Sequence, residues 1–212
     1  MTRMFLDIET LPAEEAKHEI LKEIFKKRQE DGKKVPDTFE EYLEATNLDG
    51  SFGRIACISY ALNEEPVKTL SGDEKEMLTK FWEIAHKVDQ FVGFNLMDFD
   101  LRFICQRSVI LGVRPSRDLN FARYRNYPIF DLMYEWFKWN TQNKVSLDHL
   151  AHALGIPSSK NGAVEGKNVA AAYIAGRIAE ICEYCEKDVE VTRQIYKRMV
   201  FSDFQGTQLE DF

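Results

Sequence analysis

The hydrophobic and polar positions of this chain switch between strand-like and helix-like spacing. Continuous apolar runs with β-branched members predict buried strands at residues 4–8, 54–62 and 91–94. A shorter run at 66–70 predicts a further strand at the edge of the same sheet. Turns or helical stretches separate these segments, so we expect the first half of the chain to supply most of a sheet.

Apolar residues at helical spacing predict helices that cover this sheet. The helical segments are residues 73–87, 99–111, 146–154 and 177–199, and residues 129–139 begin as a strand end or turn and continue as an aromatic helix. Gly112 and Gly155 are typical residues to end two of them. Strands followed by helices predict an α/β fold, a mixed sheet flanked by helices.

Residues 12–50 interrupt this pattern. They are rich in Glu and Lys and predict two surface helices inserted after the first strand. The insertion is either a solvated excursion or a lid over a site. We expect residues 1–201 to form a single domain and the acidic tail 202–212 to be loosely ordered.

Composition and charge indicate which classes of protein this chain can belong to. The 212 residues are 44% hydrophobic and 30% charged, which is a globular balance. The net charge of −7 argues against tight, non-specific duplex binding, although bound divalent cations would offset part of it. No signal peptide and no apolar run of about 20 residues is visible, so we expect a soluble cytoplasmic protein that does not enter the membrane.

The cysteines do not predict a metal site. Cys182 and Cys185 form one CxxC inside a long helical pattern, and a structural zinc site would need a second pair. We interpret these two as reduced, helix-packing cysteines.

Two acids end the first strand. Asp7 and Glu9 are two residues apart, so in a strand they point to the same face as Phe5. Neighbouring carboxylates repel each other, and their burial is costly without a cation or a proton. The pair therefore indicates either a metal site or a strand end in solvent.

Two further acidic positions follow in the chain. Asp98 and Asp100 come after Asn95, at the junction between a strand and a helix, where they either reach the first pair of acids or only cap the helix. Tyr184 and Asp188 are four residues apart and so share one face of the last predicted helix. Asp188 lies beside an apolar stripe, where an unpaired carboxylate is costly, or else on a solvated acidic edge.

Taken in order, FLDIET, GFNLMDFD and YCEKD resemble the three blocks of the DEDD superfamily of 3′→5′ exonucleases. The third block has the Tyr-x-x-x-Asp form, which is typical of the tyrosine subclass. The stretches GRIACISYA, SLDHLAHALGIPSSK and YCEKDVEVTRQIY are further similar to predicted exonucleases related to the proofreading domain of family-B DNA polymerases. The resemblance spans nearly the whole chain, matches residues 12–50 least well, and implies a ribonuclease H-like fold.

The resemblance also implies a site. Four carboxylates would hold two Mg²⁺ or Mn²⁺ ions for phosphodiester hydrolysis, and Tyr184 would orient the attacking water; the four are Asp7, Glu9, Asp100 and Asp188. The pattern around Asn95 favours Asp100 over Asp98 as the third of them. Thr10, Leu11, Asn95 and Phe99 would contact the terminal nucleotides of the substrate.

The implied activity is removal of nucleoside 5′-monophosphates from the 3′ end of single-stranded nucleic acid, with DNA as the first expectation. A separate replication or repair protein would be the partner in proofreading. Alternatives are a ribonuclease acting on short RNA, a non-catalytic nucleic-acid binding module and a phosphatase of small nucleotides. A loose group of arginines between residues 102 and 125 offers a path for the strand.

Overall fold

The computed structural model describes residues 1–160 and 164–202 and contains a five-stranded mixed sheet. The strands are β1 (Arg3–Leu11), β2 (Arg54–Leu62), β3 (Lys68–Ser71), β4 (Gln90–Gly93) and β5 (Ile129–Asp131). Their order is β3-β2-β1-β4-β5, so β1 is central. The pairs β1–β2 and β2–β3 are antiparallel, whereas β1–β4 and β4–β5 are parallel.

Helices cover both faces of this sheet. They are α1 (His18–Glu30), α2 (Phe39–Glu44), α3 (Glu74–Ala85), α4 (Asp100–Leu111), α5 (Leu132–Trp136), α6 (Leu147–Ala153), α7 (Val169–Ile174) and α8 (Ile178–Met199). Met4, Leu6 and Ile8 of β1 pack against α3 and α4 in the main core. Phe5 faces the opposite side, where α6 and α8 bury it. The predicted α/β fold with a helix-flanked mixed sheet is confirmed.

Strand β1 is longer than predicted. It continues past Ile8 because Thr10 and Leu11 still pair with β2, after a bulge between Glu9 and Thr10. A bulge re-aims side chains at a strand end. The bulge separates the two acids of β1 from the two residues that follow them.

The insertion after β1 contains the two predicted helices, α1 and α2, and Thr46 and Thr10 tie its ends together and to the sheet. The Thr46 hydroxyl accepts the backbone N–H of Ala13 at 2.9 Å, and Thr10 donates its hydroxyl to the carbonyl of Asn47 at 2.8 Å. The Thr46 bond lies within the insertion, and the Thr10 bond joins the insertion to β1. Thr38 caps α2 in a reciprocal pair of hydrogen bonds with Glu41. The insertion is therefore bonded to the strand end that carries the acids.

Helix α7 is an element that the sequence pattern did not predict. Within residues 1–160 and 164–202, no helix is both long and apolar enough to cross a bilayer. The predicted tail lies almost entirely outside the described residues.

Candidate active site

The first two acids lie at the carboxyl end of β1, on the face covered by α8. A carboxylate oxygen of Asp7, one of Glu9 and the Sγ of Cys185 all lie within 4.8 Å of one another. Cys185 donates its thiol to the Asp7 carboxylate and to the Asp7 backbone carbonyl, at 3.4 Å each. The alternation predicted for β1 is correct, since Leu6 and Ile8 pack on the other face.

Asp100 joins these acids as the first residue of α4. Its side chain is buried, and its Oδ1 accepts the backbone N–H of Ile8 at 3.0 Å. Asp98 is exposed instead, where it accepts the Tyr134 hydroxyl and pairs with Arg102 at 3.3 Å. Of the two alternatives, Asp100 is therefore the acid that lies with Asp7 and Glu9.

The turn that delivers Asp100 depends on a close approach of backbones. A Cβ on Gly93 would lie 3.0 Å from the carbonyl oxygen of Leu6 and 2.8 Å from Leu96 Cδ1, so glycine is required there. Asn95 follows with a left-handed φ of 57°. Its backbone N–H and that of Met97 both donate to the buried carboxylate of Asp131.

Asp131, at the end of β5, holds this turn in place. Its carboxylate accepts the N–H of Asn95 at 3.2 Å and that of Met97 at 2.9 Å, while it also caps α5 by accepting from Met133 and Tyr134. Sequence reasoning missed Asp131. A local signal existed, since an acid directly before a helical run is an N-cap candidate, but its bonds to the turn are long-range.

Helix α8 contributes the third block. Asp188 is 7% exposed and accepts hydrogen bonds from the side chains of Tyr184 and Ser159. The Tyr184 bond follows from the four-residue spacing on one helical face. Sequence reasoning did not connect Ser159 or Lys160 with Asp188. Ser159 is buried beside it, and the positive charge of Lys160 favours its ionised form.

Burial raises the pKa of every acid in the group, and the charges of nearby acids add to each shift. Burial raises the pKa of Asp7 well above its usual range, and Cys185, Asp100, Asp188 and Glu9 raise it further. The pKa of Glu9 is raised first by burial and then by Asp188 and Asp100. Acids from β1, α4 and α8 therefore act on one another at close range.

Hydrogen bonds partly offset the raised pKa values of the other two acids, Asp100 and Asp188. Burial raises the pKa of Asp100 to about 7, although its own backbone N–H and that of Ile8 oppose the shift. Burial also raises the pKa of Asp188, while the bonds from Ser159 and Tyr184 lower it. Burial and the charge of Asp188 hold the pKa of the Tyr184 phenol far above its usual value, so Tyr184 stays protonated.

The cysteines pack as predicted, but one of them contacts the acids. Cys182 and Cys185 face Cys57 of β2, and Cys57 is the register partner of Glu9. All four cysteines are reduced. The Cys185 thiol lies against Asp7 as a hydrogen-bond donor, a contact between residues 178 positions apart that no local pattern predicts.

The predicted substrate-contacting residues surround this group. Leu11 is buried and lines a cavity of about 710 Å³ at the end of β1, and the Thr10 side chain is bonded to the insertion. Asn95 and Phe99 lie half-buried in the turn before Asp100, with Phe99 packed on Phe103 at 5.7 Å. Their roles toward a nucleotide stay predictions.

The arginines between residues 102 and 125 do not form one surface. Arg107 is buried and makes a bidentate pair with Glu74 at 2.8 and 2.9 Å, so its role is structural. Arg117 donates to the backbone carbonyl of Val88. Arg123 and Arg125 are exposed.

Comparison with known proteins gives the family. Residues 48–210, well over half of the chain, match the family described as "Predicted 3'-5' exonuclease related to the exonuclease domain of PolB". An uncharacterized protein of Methanocaldococcus jannaschii is 24% identical over 169 residues, which cover 74% of this chain and 92% of that protein.

A solved structure gives the fold. The family B DNA polymerase of the hyperthermophilic archaeon Pyrobaculum calidifontis matches 94% of this chain with a TM-score of 0.66 and 15% sequence identity. This chain spans about a quarter of the polymerase, 24% of its length. The five-stranded mixed sheet with its flanking helices is thus a PolB exonuclease-like fold, and the chain belongs to the family of predicted 3′-5′ exonucleases related to the exonuclease domain of PolB.

Proposed function

We propose that this protein is a metal-dependent 3′-5′ exonuclease that removes nucleoside 5′-monophosphates from single-stranded nucleic acid, with DNA as the first candidate substrate. The observation that carries the proposal is the convergence of carboxylates from two separate elements: an oxygen of Asp7 and one of Glu9, both on β1, lie within 4.8 Å of each other, and Asp100 of α4 accepts the N–H of Ile8 between them. Burying several carboxylates together is unfavourable unless cations offset their charge. Family membership supports the same activity.

The donor chemistry fits Mg²⁺ or Mn²⁺. The groups that face one another are carboxylates, and both cations prefer oxygen ligands in proteins. Asp7, Glu9, Asp100 and Asp188 are the residues that would hold two such ions. Cys185 is a soft ligand in a hard site, and its thiol instead donates a hydrogen bond to Asp7. When bound, the cations would neutralise the phosphate and lower the pKa of a water.

Tyr184 is the residue that we assign to the attacking water. Its raised pKa keeps the phenol protonated, so it does not act as a base. Its one O–H donates to Asp188 in this structure and would be freed to orient a water when a cation takes up the Asp188 carboxylate. Its hydrogen bond with Asp188 holds the ring on the acid-bearing side of α8. Loss of this residue should slow the reaction without removing the carboxylates.

The terminal nucleotide would lie between the end of β1 and the turn before α4. Thr10 and Leu11 flank it on one side, and Asn95 and Phe99 on the other. Phe99 offers a ring for base stacking, which tolerates any sequence. We therefore expect little sequence specificity.

The test uses purified protein and 5′-end-labelled single-stranded DNA, with Mg²⁺, Mn²⁺ or a chelator. The expected result is a ladder that shortens from the 3′ end, releases mononucleotides and disappears with the chelator. A matched RNA oligomer distinguishes a deoxyribonuclease from a ribonuclease. An absence of cleavage of both oligomers with either cation would overturn the proposal in favour of a binding module, and release of phosphate from mononucleotides would favour a phosphatase.

A further inference from the structure

Three aromatic rings stack against one another beside the turn that carries Asp100. Tyr134 lies parallel to Trp139, with ring centroids 4.9 Å apart and an angle of 10°. Tyr124 packs on Trp139 at 5.5 Å. Tyr134 is buried, Trp139 is half-buried and Tyr124 is 74% exposed, so the stack runs from the core to solvent. We call these three residues the aromatic stack.

The outer part of the aromatic stack is held in an unusual backbone conformation. Tyr124 has a φ of 62°, and the consecutive residues Lys138 and Trp139 have φ values of 48° and 66°. Bulky residues rarely adopt this left-handed region, and such strain clusters at binding sites. The outward position of the Tyr124 ring is thus not explained by burial or by backbone preference.

Exposed cations lie beside the aromatic stack, although the whole chain is acidic. Arg123 and Lys144 line a cavity of about 210 Å³ with Tyr134, and Arg125 follows Tyr124. Among the described residues, none of these three exposed cations is in an ion pair. The acids nearby are already occupied, since Asp98 pairs with Arg102 and Glu135 with Lys138.

The aromatic stack is hydrogen-bonded to the turn that carries Asp100. The Tyr134 hydroxyl donates to Asp98, two residues before Asp100. Asp131 caps the helix that carries Tyr134 and also binds the N–H groups of the turn before Asp100. The aromatic stack therefore borders the turn that carries Asp100, on the side of Asp98.

We propose that the aromatic stack, with Arg123, Arg125 and Lys144, binds the single strand upstream of the nucleotide being removed. A base stacks on the exposed face of Tyr124, and the three cations contact the phosphates on either side. Aromatic stacking beside a basic surface is the general way in which proteins grip single strands without reading sequence. This inference rests on the proposed function, because it names the path of that enzyme's substrate.

The test compares a dinucleotide with an oligothymidylate of about ten nucleotides, a length within the range of single-strand binding sites. Tyr124→Ala should lower the ratio of kcat/KM for the oligomer to that for the dinucleotide by about tenfold, the size of one lost stacking contact. Tyr124→Trp keeps a stacking ring and should retain the ratio. Phe201→Ala, a substitution of another exposed aromatic at the end of α8, should keep it too.

A binding measurement separates this inference from the proposed function. Fluorescence anisotropy of the labelled oligomer, without divalent cations, should show weaker binding by about tenfold for Tyr124→Ala. Arg123→Gln and Arg125→Gln should each lower the slope of log Kd against log salt by about 0.7. If no protein cleaves either substrate but these changes appear, the exonuclease proposal fails and the binding surface stands. Unchanged anisotropy and an unchanged ratio in Tyr124→Ala would overturn the inference.

Discussion

The carboxylate of Asp100 accepts the backbone N–H of Ile8 at 3.0 Å. The register of β4 on β1 ends at Phe5, so no neighbouring strand on that side reaches this N–H, and a side chain from α4 binds it instead. The second acidic block is thereby attached to the strand that carries Asp7 and Glu9. The fold brings the acids together. In the absence of cations, their burial and mutual repulsion destabilise the folded protein.

Substitution of Asp7 by alanine should remove the activity without destabilising the fold. We expect the rate of 3′-end hydrolysis to fall by orders of magnitude, because Asp7 is central to the acidic group. The protein without cations should melt at the same or a higher temperature at neutral pH, since the substitution removes a half-buried carboxylate that neighbouring acids repel. Glu183→Ala, at an exposed acid of α8 that pairs with Lys187, is the control. Nuclease activity retained by Asp7→Ala would contradict the assignment.

Asp100→Asn should change how stability depends on pH. The folded pKa of about 7 lies above the ordinary value of 3.8, so folded protein binds more protons than unfolded protein between these values. The stability of the ion-free wild type should therefore fall as the pH rises from about 4 to 7. Asparagine removes this pH-dependent loss of stability and keeps an acceptor for the Ile8 N–H. Asp100→Asn should therefore raise the free energy of unfolding by about 2–4 kcal/mol above pH 7.

Urea unfolding at pH 5 and pH 8, in the presence of a chelator, measures this effect. The stability gain of Asp100→Asn should be much larger at pH 8 than at pH 5. An equal difference at the two pH values would mean that the Asp100 carboxylate carries no raised pKa. Asp98→Asn, at the exposed acid of the same turn, is the matched control.

Tyr184→Phe should reduce the rate less than the loss of Asp7 does. The variant keeps the four carboxylates and loses only a positioned hydroxyl, which corresponds to a reduction of about a hundredfold. Steady-state kinetics at saturating Mn²⁺ should show a lower kcat. A titration with Mn²⁺ should show that the cation concentration at half-maximal rate is unchanged. A loss as large as that of Asp7→Ala would instead make Tyr184 essential to the assembly of the site.

Arg107→Ala should destabilise the fold by about 3–5 kcal/mol. The pair with Glu74 has side chains only 9% and 14% exposed, and Glu74 also accepts the N–H of Ile55. Truncation leaves that carboxylate buried without its cation. Lys68→Ala breaks an exposed pair with Glu65 and should leave the free energy of unfolding nearly unchanged in the same urea experiment.

Local patterns in the sequence predicted much of the sheet and the sides on which the acids lie. The two-residue alternation of β1 places Asp7 and Glu9 on the opposite face of the strand from Leu6. The four-residue spacing in α8 places Tyr184 beside Asp188. Both are consequences of backbone geometry and hold wherever the element forms. The continuation of β1 to Leu11 was missed, because its pairing with Arg54 depends on a bulge that no local pattern indicates.

The supporting contacts of the site could not be read from spacing. Asp131 reaches Asn95 across 36 positions, and Cys185 reaches Asp7 across 178. Such contacts depend on strand order and on the side of the sheet that α8 covers, which local propensity does not determine. The aromatic stack was missed for the same reason, since Tyr124 and Trp139 belong to different segments.

The most direct test of the central claim is a crystal grown with Mn²⁺ and a nucleoside 5′-monophosphate, with diffraction recorded to detect anomalous scattering. The account predicts two strong anomalous peaks among the carboxylates of Asp7, Glu9, Asp100 and Asp188, with the nucleotide phosphate in contact with them. Crystals in which Mn²⁺ binds elsewhere, or in which these carboxylates hold no ion at saturating Mn²⁺, would contradict it.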